Sequence, residues 1–300
     1  MTDRPEDNQL CVLVYGGCFI PNYLPMELFL RACKIPFRVL SDHDMKSFTF
    51  QPNHRLFVFP TGHCFGDTPK GAMGGKKGRE NLKRAVANGM SYMGICAGAF
   101  AATQRSYPPI DIALGLVGMR HRWPNEMGVG VQFLTVKVAP DLARAAGLDQ
   151  DLLRIWYHNG PILSAGTATD HQVLAAFQPS RAERKMAGAF FLKGKHLLHT
   201  PAVVAVRYGN GRVVLCSPHP ELGDMGVRDY QSLIRQWLAH NGFTDTEDDP
   251  LQPGMPAHRR FMDSLGGKLM EPVRRSQNWK FLSAIVADLV ETQGDGRMIP

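Results

Sequence analysis

The sequence predicts an α/β protein built on a doubly wound, mostly parallel central sheet. Three observations predict it. Short apolar runs rich in β-formers alternate with amphipathic helical runs through the first third of the chain, glycines close several of those apolar runs, and closely spaced β segments follow.

Cys11-Val12-Leu13-Val14-Tyr15 is a short continuous apolar run closed by Gly16-Gly17, as expected of a buried first strand. Leu24 to Cys33 has helical spacing, with Leu24, Leu28, Leu30 and Ala32 inward and Glu27 and Arg31 on the wet side. Pro36–Leu40 reads as a second strand and Arg55–Phe59 as a third, ended by Pro60-Thr61-Gly62. Glu80 to Asn88 is an amphipathic helix stopped by Gly89. Met90 to Ile95 is a fourth strand. Strands separated by helices pair in parallel through right-handed crossovers, and the ligand site of such a sheet lies beyond the strands' carboxyl ends. Gly16-Gly17, Thr61-Gly62 and Cys96 converge there.

From Leu114 the pattern becomes β-rich: Leu114–Met119, Val129–Val138, Leu153–Tyr157, Val173–Phe177 and Ala189–Leu192. Ala202–Arg207 and Arg212–Ser217 flank Tyr208-Gly209-Asn210-Gly211, a hairpin signal. A helix is expected from Arg228 to His240. Thr244 to Pro256 is acidic and rich in proline and glycine, hence a linker, and one further helix spans Trp279 to Glu291. The expected division is a main domain over 10–243, a linker over 244–256 and a short helical extension over 257–300, which packs on the main domain or mediates self-association.

Composition narrows the function classes. In a chain of 300 residues with 44% hydrophobic and 20% charged residues, neither disorder nor a fibrous architecture is expected. No apolar stretch is long enough to cross a bilayer, and the polar N-terminus is unlike a secretory signal, so a cytoplasmic location is expected. The six cysteines form no Cys-x-x-Cys pair, which reads as free thiols rather than a disulfide framework or metal site. Cys11 and Cys216 sit in strands as small buried residues. A net charge of +7 is dispersed, without a nucleic-acid-binding pattern beside it, so a solvated basic face is the better reading. Gly71 to Gly78 lacks the ending of a phosphate loop; it reads as a mobile flap whose Lys76 and Lys77 attract an anionic small-molecule substrate.

Gly94-Ile95-Cys96-Ala97-Gly98 carries the chemistry. A nucleophile on a sharp strand-to-helix turn needs small neighbours two residues to either side, because the strained turn leaves no room there. At that turn the sulfur leaves the sheet at a helix N-terminus, where the macrodipole favours a thiolate, and the Ala97 amide points to where an oxyanion forms. Alone, the pattern also fits a buried structural cysteine. Ser217-Pro218-His219-Pro220-Glu221, at another strand's end, supplies the complement. His219 takes and returns a proton, and Glu221, two residues on, orients the imidazole.

The order strand, Gly-Ile-Cys-Ala-Gly-Ala, β-rich span, His-Pro-Glu resembles the class I glutamine amidotransferase-like superfamily. More narrowly, it resembles the N-terminal domain of eukaryotic biotin–protein ligases and its free-standing bacterial relatives. Val14-Tyr15-Gly16-Gly17, Phe59-Pro60-Thr61-Gly62 and Trp156-Tyr157-His158-Asn159-Gly160-Pro161 match that narrower family over roughly residues 10 to 240. The resemblance implies a flavodoxin-like sandwich and a Cys96–His219–Glu221 triad. It also implies an oxyanion hole from the Ala97 amide and the Gly62 turn. Gly17, Thr61, Tyr157, Asn159 and Gly160 would then line the substrate site. Where the family has Pro-Gly-Gly, this chain has Pro60-Thr61-Gly62-His63-Cys64, leaving the second oxyanion donor open, and Cys18 adds a thiol near the cleft.

No lysine-bearing biotinyl-adenylate segment or ammonia-using synthetase domain accompanies the site. The expected function is therefore a cysteine hydrolase or amidohydrolase that cleaves a C–N acyl-type bond through a thioester, without cofactor or metal. The alternative is a non-catalytic ligand-binding or regulatory module with a relic triad. Neither a membrane nor a nucleic acid is expected as partner, and a homo-oligomer is left open.

Overall fold

A computed structural model describes residues 10–16, 23–60, 72–103, 114–121, 131–158, 160–164, 170–185, 197–225 and 276–291. The strands are β1 (Cys11–Tyr15), β2 (Phe37–Leu40), β3 (His54–Phe59), β4 (Ser91–Ile95), β5 (Arg120–His121), β6 (Val131–Val138), β7 (Leu152–His158), β8 (Leu163–Ser164), β9 (His171–Phe177), β10 (Pro201–Tyr208) and β11 (Gly211–Cys216). The helices are α1 (Leu24–Ala32), α2 (Asp42–Ser47), α3 (Gly75–Ala87), α4 (Ala97–Ala102), α5 (Pro140–Ala145) and α6 (Gln277–Glu291).

Among the described residues, nine strands form one sheet in the order β2-β1-β3-β4-β11-β10-β9-β6-β7. The first five are parallel to one another, and the rest pair antiparallel. β4, fully buried, is flanked by β3 and β11, as expected of a central parallel strand covered on both faces. On one face, residues of α1, α5 and α6 close a core with Val12, Val14, Met93 and Ile95; on the other, residues of α2, α3 and α4 pack on Leu13, Phe57, Phe59 and Tyr92. Alternate side chains of each strand serve opposite layers, which is the sandwich that the sequence predicts. β10 and β11 form the expected hairpin, with Gly209 at φ 58° in its turn.

Several expectations are corrected. Leu114–Met119 is not a strand. Its apolar side chains are buried, but its backbone amides turn to the end of α4: Leu114 N–H donates to Ala101 O at 2.7 Å and Leu116 N–H to Ala102 O at 2.9 Å. Gly115, at φ 61°, breaks any extended run.

The glycine-rich stretch before Glu80 is helix rather than flap, at least from Ala72 onward: a 3-10 turn over Ala72–Gly74 leads into α3. Gly74 and Gly78 let that turn lie on the Met45 backbone, so a side chain at either position would collide with it. Lys76 and Lys77 are exposed on the first turn of α3. Glu27 is not on the wet side either: it is buried, and Arg31, one turn on, covers it with a 2.9 Å ion pair. The strand expected over Ala189–Leu192, the helix over Arg228–His240 and the linker lie outside the described residues.

Candidate active site

Cys96 leaves β4 at φ 49° and ψ −99°, a conformation that a residue with a Cβ adopts only under constraint. The constraint is visible on both sides. A Cβ on Gly98 would run into the carbonyl of Phe59 on the neighbouring strand. One on Gly94 would meet the backbone of Gly98 and, at 2.7 Å, the amide of Ala99. The two glycines thus let the chain double back from strand to helix, as the Gly-x-Cys-x-Gly spacing predicts. Cys96 N–H donates to Cys216 O at 2.8 Å, which fixes the turn to β11, and its carbonyl accepts the first helical bond from Phe100 at 3.1 Å. The sulfur lies 3.4 Å from the carbonyl oxygen of His158.

β11 exits beside it, Cys216 pairing with Ile95. Three residues on, His219 is buried, and its Nδ1 is 2.7 Å from Oε1 of the equally buried Glu221. The histidine backbone is held by β7: His219 N–H donates to Trp156 O at 2.8 Å. Burial by itself lowers the pKa of His219, but the charges of Glu221 and Cys96, with the hydrogen bond to Glu221, outweigh it, raising the value from 6.5 to about 10. The folded surroundings of His219 thus favour the imidazolium. Its Nε2 makes no hydrogen bond of ordinary geometry to a described residue, so its approach to Cys96 is loose.

Cys216, within the same neighbourhood, behaves differently. Burial, then the charges of Glu221 and Cys96, push its pKa well up, and its sulfur turns to Pro218 O at 3.3 Å. It remains a structural thiol. Cys11, also in a strand, is pushed up to about 11, chiefly by burial.

The structure brings together Cys96, Ala97, His158, Gly160, His219 and Glu221. Ala97 opens α4, so its N–H has no acceptor within the helix and is available to an oxyanion. Tyr157 does not offer its hydroxyl to a ligand: the side chain is fully buried, packs edge-on to Phe177, and donates to Gly160 O at 2.8 Å. Gly160 is set against Ser217, two residues before His219, too close for any side chain. Gly17, Thr61, Gly62 and Asn159, together with Cys18, His63 and Cys64, lie outside the described residues. Among the described residues no group of three or more His, Cys, Asp or Glu side chains could hold a metal ion, and no helix is long and apolar enough to cross a membrane.

What holds the base in place leaves no signal in the sequence pattern. Trp156 acts through its carbonyl, which no residue type signals. Trp279 donates its Nε1–H to Glu221 O at 3.0 Å from the far end of the chain, and Asn278 donates to Gly223 O at 2.9 Å.

A strained cysteine elbow beside a buried His–Glu pair, at the carboxyl ends of adjacent parallel strands, defines a class I glutamine amidotransferase-like fold. Within it, the chain belongs to the biotin–protein ligase N-terminal family, which matches residues 37–246.

Among solved structures, a glutamine amidotransferase from Thermotoga maritima is similar, at 14% identity and a TM-score of 0.52, with 95% of this chain and 99% of that one covered. That likeness shows the fold. The PurLQS structure from Thermotoga maritima (18% identity, 75% and 97% covered, TM-score 0.46) and a ThuA-like protein from Bacteroides uniformis (10%, 73% and 86%, 0.46) are more distant. Among curated proteins no sequence match is found.

Proposed function

We propose that this chain is a cysteine-dependent hydrolase of the amidohydrolase type, cleaving a C–N acyl-type bond in a small molecule. The observation that carries this reading is the Cys96 elbow beside the 2.7 Å His219–Glu221 pair. The Cys96 sulfur attacks the acyl carbon, and the Ala97 N–H, with the second donor expected of the Gly62 turn, donates a hydrogen bond to the oxyanion. The C–N bond then breaks as His219 gives its proton to the leaving amine. Water next attacks the thioester while His219 takes a proton from it, and the acid leaves as the sulfur is released. Glu221 keeps the imidazole's Nδ1 engaged throughout, so that Nε2 faces the reaction.

Proton transfer of this kind is worth roughly 10²–10⁴ in rate. Cys96→Ala and His219→Ala should each abolish turnover of the amide substrate to within background, measured as amine release from a panel of small amides. Full retention in Cys96→Ala would end the proposal.

A second reading has one observation in its favour. Cys96 is only 8% exposed, and the His158 carbonyl stands over its sulfur, as it would in a ligand-binding or regulatory module with a relic triad. Alkylation with iodoacetamide near neutral pH separates the two. Cys96 labelling much faster than the exposed Cys33 supports the enzyme; labelling no faster supports the relic.

A further inference from the structure

The last described helix, α6, runs antiparallel to the two strands that carry the nucleophile and the base, and it is bonded to the start of both and to the turn that follows β11. At its C-terminal end, the carbonyl of Leu289 accepts from the hydroxyl of Ser91, the first residue of β4, at 2.8 Å, and Asp288 pairs with Arg212, the second residue of β11. At its N-terminal end, the bonds go to the turn that follows β11. Trp279 Nε1–H donates to Glu221 O at 3.0 Å. The Asn278 side-chain amide donates to Gly223 O and to Arg154 O, both at 2.9 Å, with Asp224 Oδ1 at 3.4 Å, and Ser276 Oγ donates to Asp224 Oδ1 at 3.1 Å. Asn278, Trp279 and Ser276 are buried. All lie beyond residue 246, where the family match ends.

The double bond of Asn278 has a geometric consequence. Arg154 belongs to β7, and β7 holds the His219 amide through Trp156 O and ends at the His158 carbonyl beside the Cys96 sulfur. Gly223 closes the His219–Glu221 turn at φ 60° and ψ −130°, a backbone state open in practice to glycine alone. One amide group therefore ties the strand that aligns the sulfur and the histidine backbone to the turn that aims the imidazole.

We propose that Asn278 and Trp279 are positioning residues for the His219–Glu221 pair, so that α6 is a working part of the site. This rests on the proposed triad. A buried carbonyl deprived of its donor seeks another partner, and the turn can move to find one. A displacement of about 1 Å at a reacting group can cost on the order of a hundredfold in rate, so a partial shift should be visible as a roughly tenfold loss.

The test uses the full chain and iodoacetamide. The rate at which Cys96 is alkylated is taken relative to that of Cys33, alongside the ultraviolet thiolate absorbance that Cys96→Ala removes. Trp279→Phe keeps a ring against Phe29, which Trp279 meets edge-on, while deleting the donor together with part of the buried indole. Asn278→Ala deletes both of its bonds, and Ser91→Ala loosens the other end of the same helix.

Trp279→Phe and Asn278→Ala should each lower the Cys96:Cys33 ratio and the thiolate signal about tenfold. Ser91→Ala should lower the melting temperature and leave both readouts alone. If Asn278→Ala does not fold, Trp279→Phe decides. An unchanged ratio and thiolate signal in a folded Trp279→Phe protein, where wild type is selective and His219→Ala is not, would overturn the positioning role while sparing the triad. A Ser91→Ala protein that loses the signal equally would also overturn it, by showing a general loosening. Wild-type protein without selectivity at Cys96 would instead defeat the triad on which the proposal stands.

Discussion

The exits of β4 and β11 are neighbours, Ile95 beside Cys216, yet they are shaped by opposite means. The exit of β4 is shaped from within. Its turn is strained at Cys96 and made possible by Gly94 and Gly98, which leave no space between the chain, the following helix and Phe59. The exit of β11 is shaped from outside. Ser217 N–H is held by Ala202 O, His219 N–H by Trp156 O, Glu221 O by Trp279 and Gly223 O by Asn278. Local strain sets the nucleophile, and long-range hydrogen bonds set the base. A tight turn of the first kind fails as a whole when crowded, whereas a turn of the second kind can be shifted by removing one donor.

The largest expected effect breaks the first exit. Gly98→Ala places a methyl group against the Phe59 carbonyl, where neither strand nor helix has slack. Overpacking of a rigid site costs about 1–3 kcal/mol and at times more, and a clash with the backbone of a central strand belongs at the upper end. Urea unfolding should show a loss of about 3 kcal/mol or no cooperative fold at all. A protein of wild-type stability with unchanged Cys96 labelling would show that the elbow is not constrained as described.

The same contrast explains what the sequence disclosed. The parallel half of the sheet, the hairpin and the elbow were legible because each rests on local chemistry: apolar runs bounded by glycine, a Gly-Asn turn, small residues at fixed spacing. His219 and Glu221 were legible because they are near each other in sequence and follow a strand. Their supports were not, since Asn278 and Trp279 lie more than 50 residues away and act on backbone carbonyls. Leu114–Met119 misled for a related reason: apolar composition predicts burial, but the partner of its amides is a helix end, which no period records. Tyr157 was read as a ligand contact by resemblance, and the structure gives its hydroxyl to Gly160.

A smaller effect sharpens the claim of strain. Cys96→Gly relieves a backbone conformation worth about 1–3 kcal/mol to any residue with a Cβ, less the entropy that glycine loses on folding. Cys96→Ala removes the sulfur and keeps the strain. The glycine variant should therefore unfold at a higher urea concentration than the alanine variant, by about 1 kcal/mol in stability. The reverse order would place no strain at the nucleophile.

A third effect, spread over several pH units and gradual within any one of them, probes the second exit. The folded-state pKa of His219 is raised from 6.5 to about 10, so the imidazolium is favoured by the folded protein. The sign follows from proton counts. Below the unfolded value both states carry the proton and the contribution of His219 is fully present. Between the two values the unfolded chain has lost the proton while the folded one keeps it, so stability falls as pH rises, by at most about 1.4 kcal/mol per pH unit for one proton. His219→Gln carries no such proton. The stability difference between wild type and His219→Gln should be largest near pH 6 and shrink steadily toward pH 10, followed by urea midpoints at each pH. If the difference instead grows across that window, the charge on His219 is opposed rather than favoured by Glu221 and Cys96, and the turn held from outside does not aim an imidazolium at the sulfur.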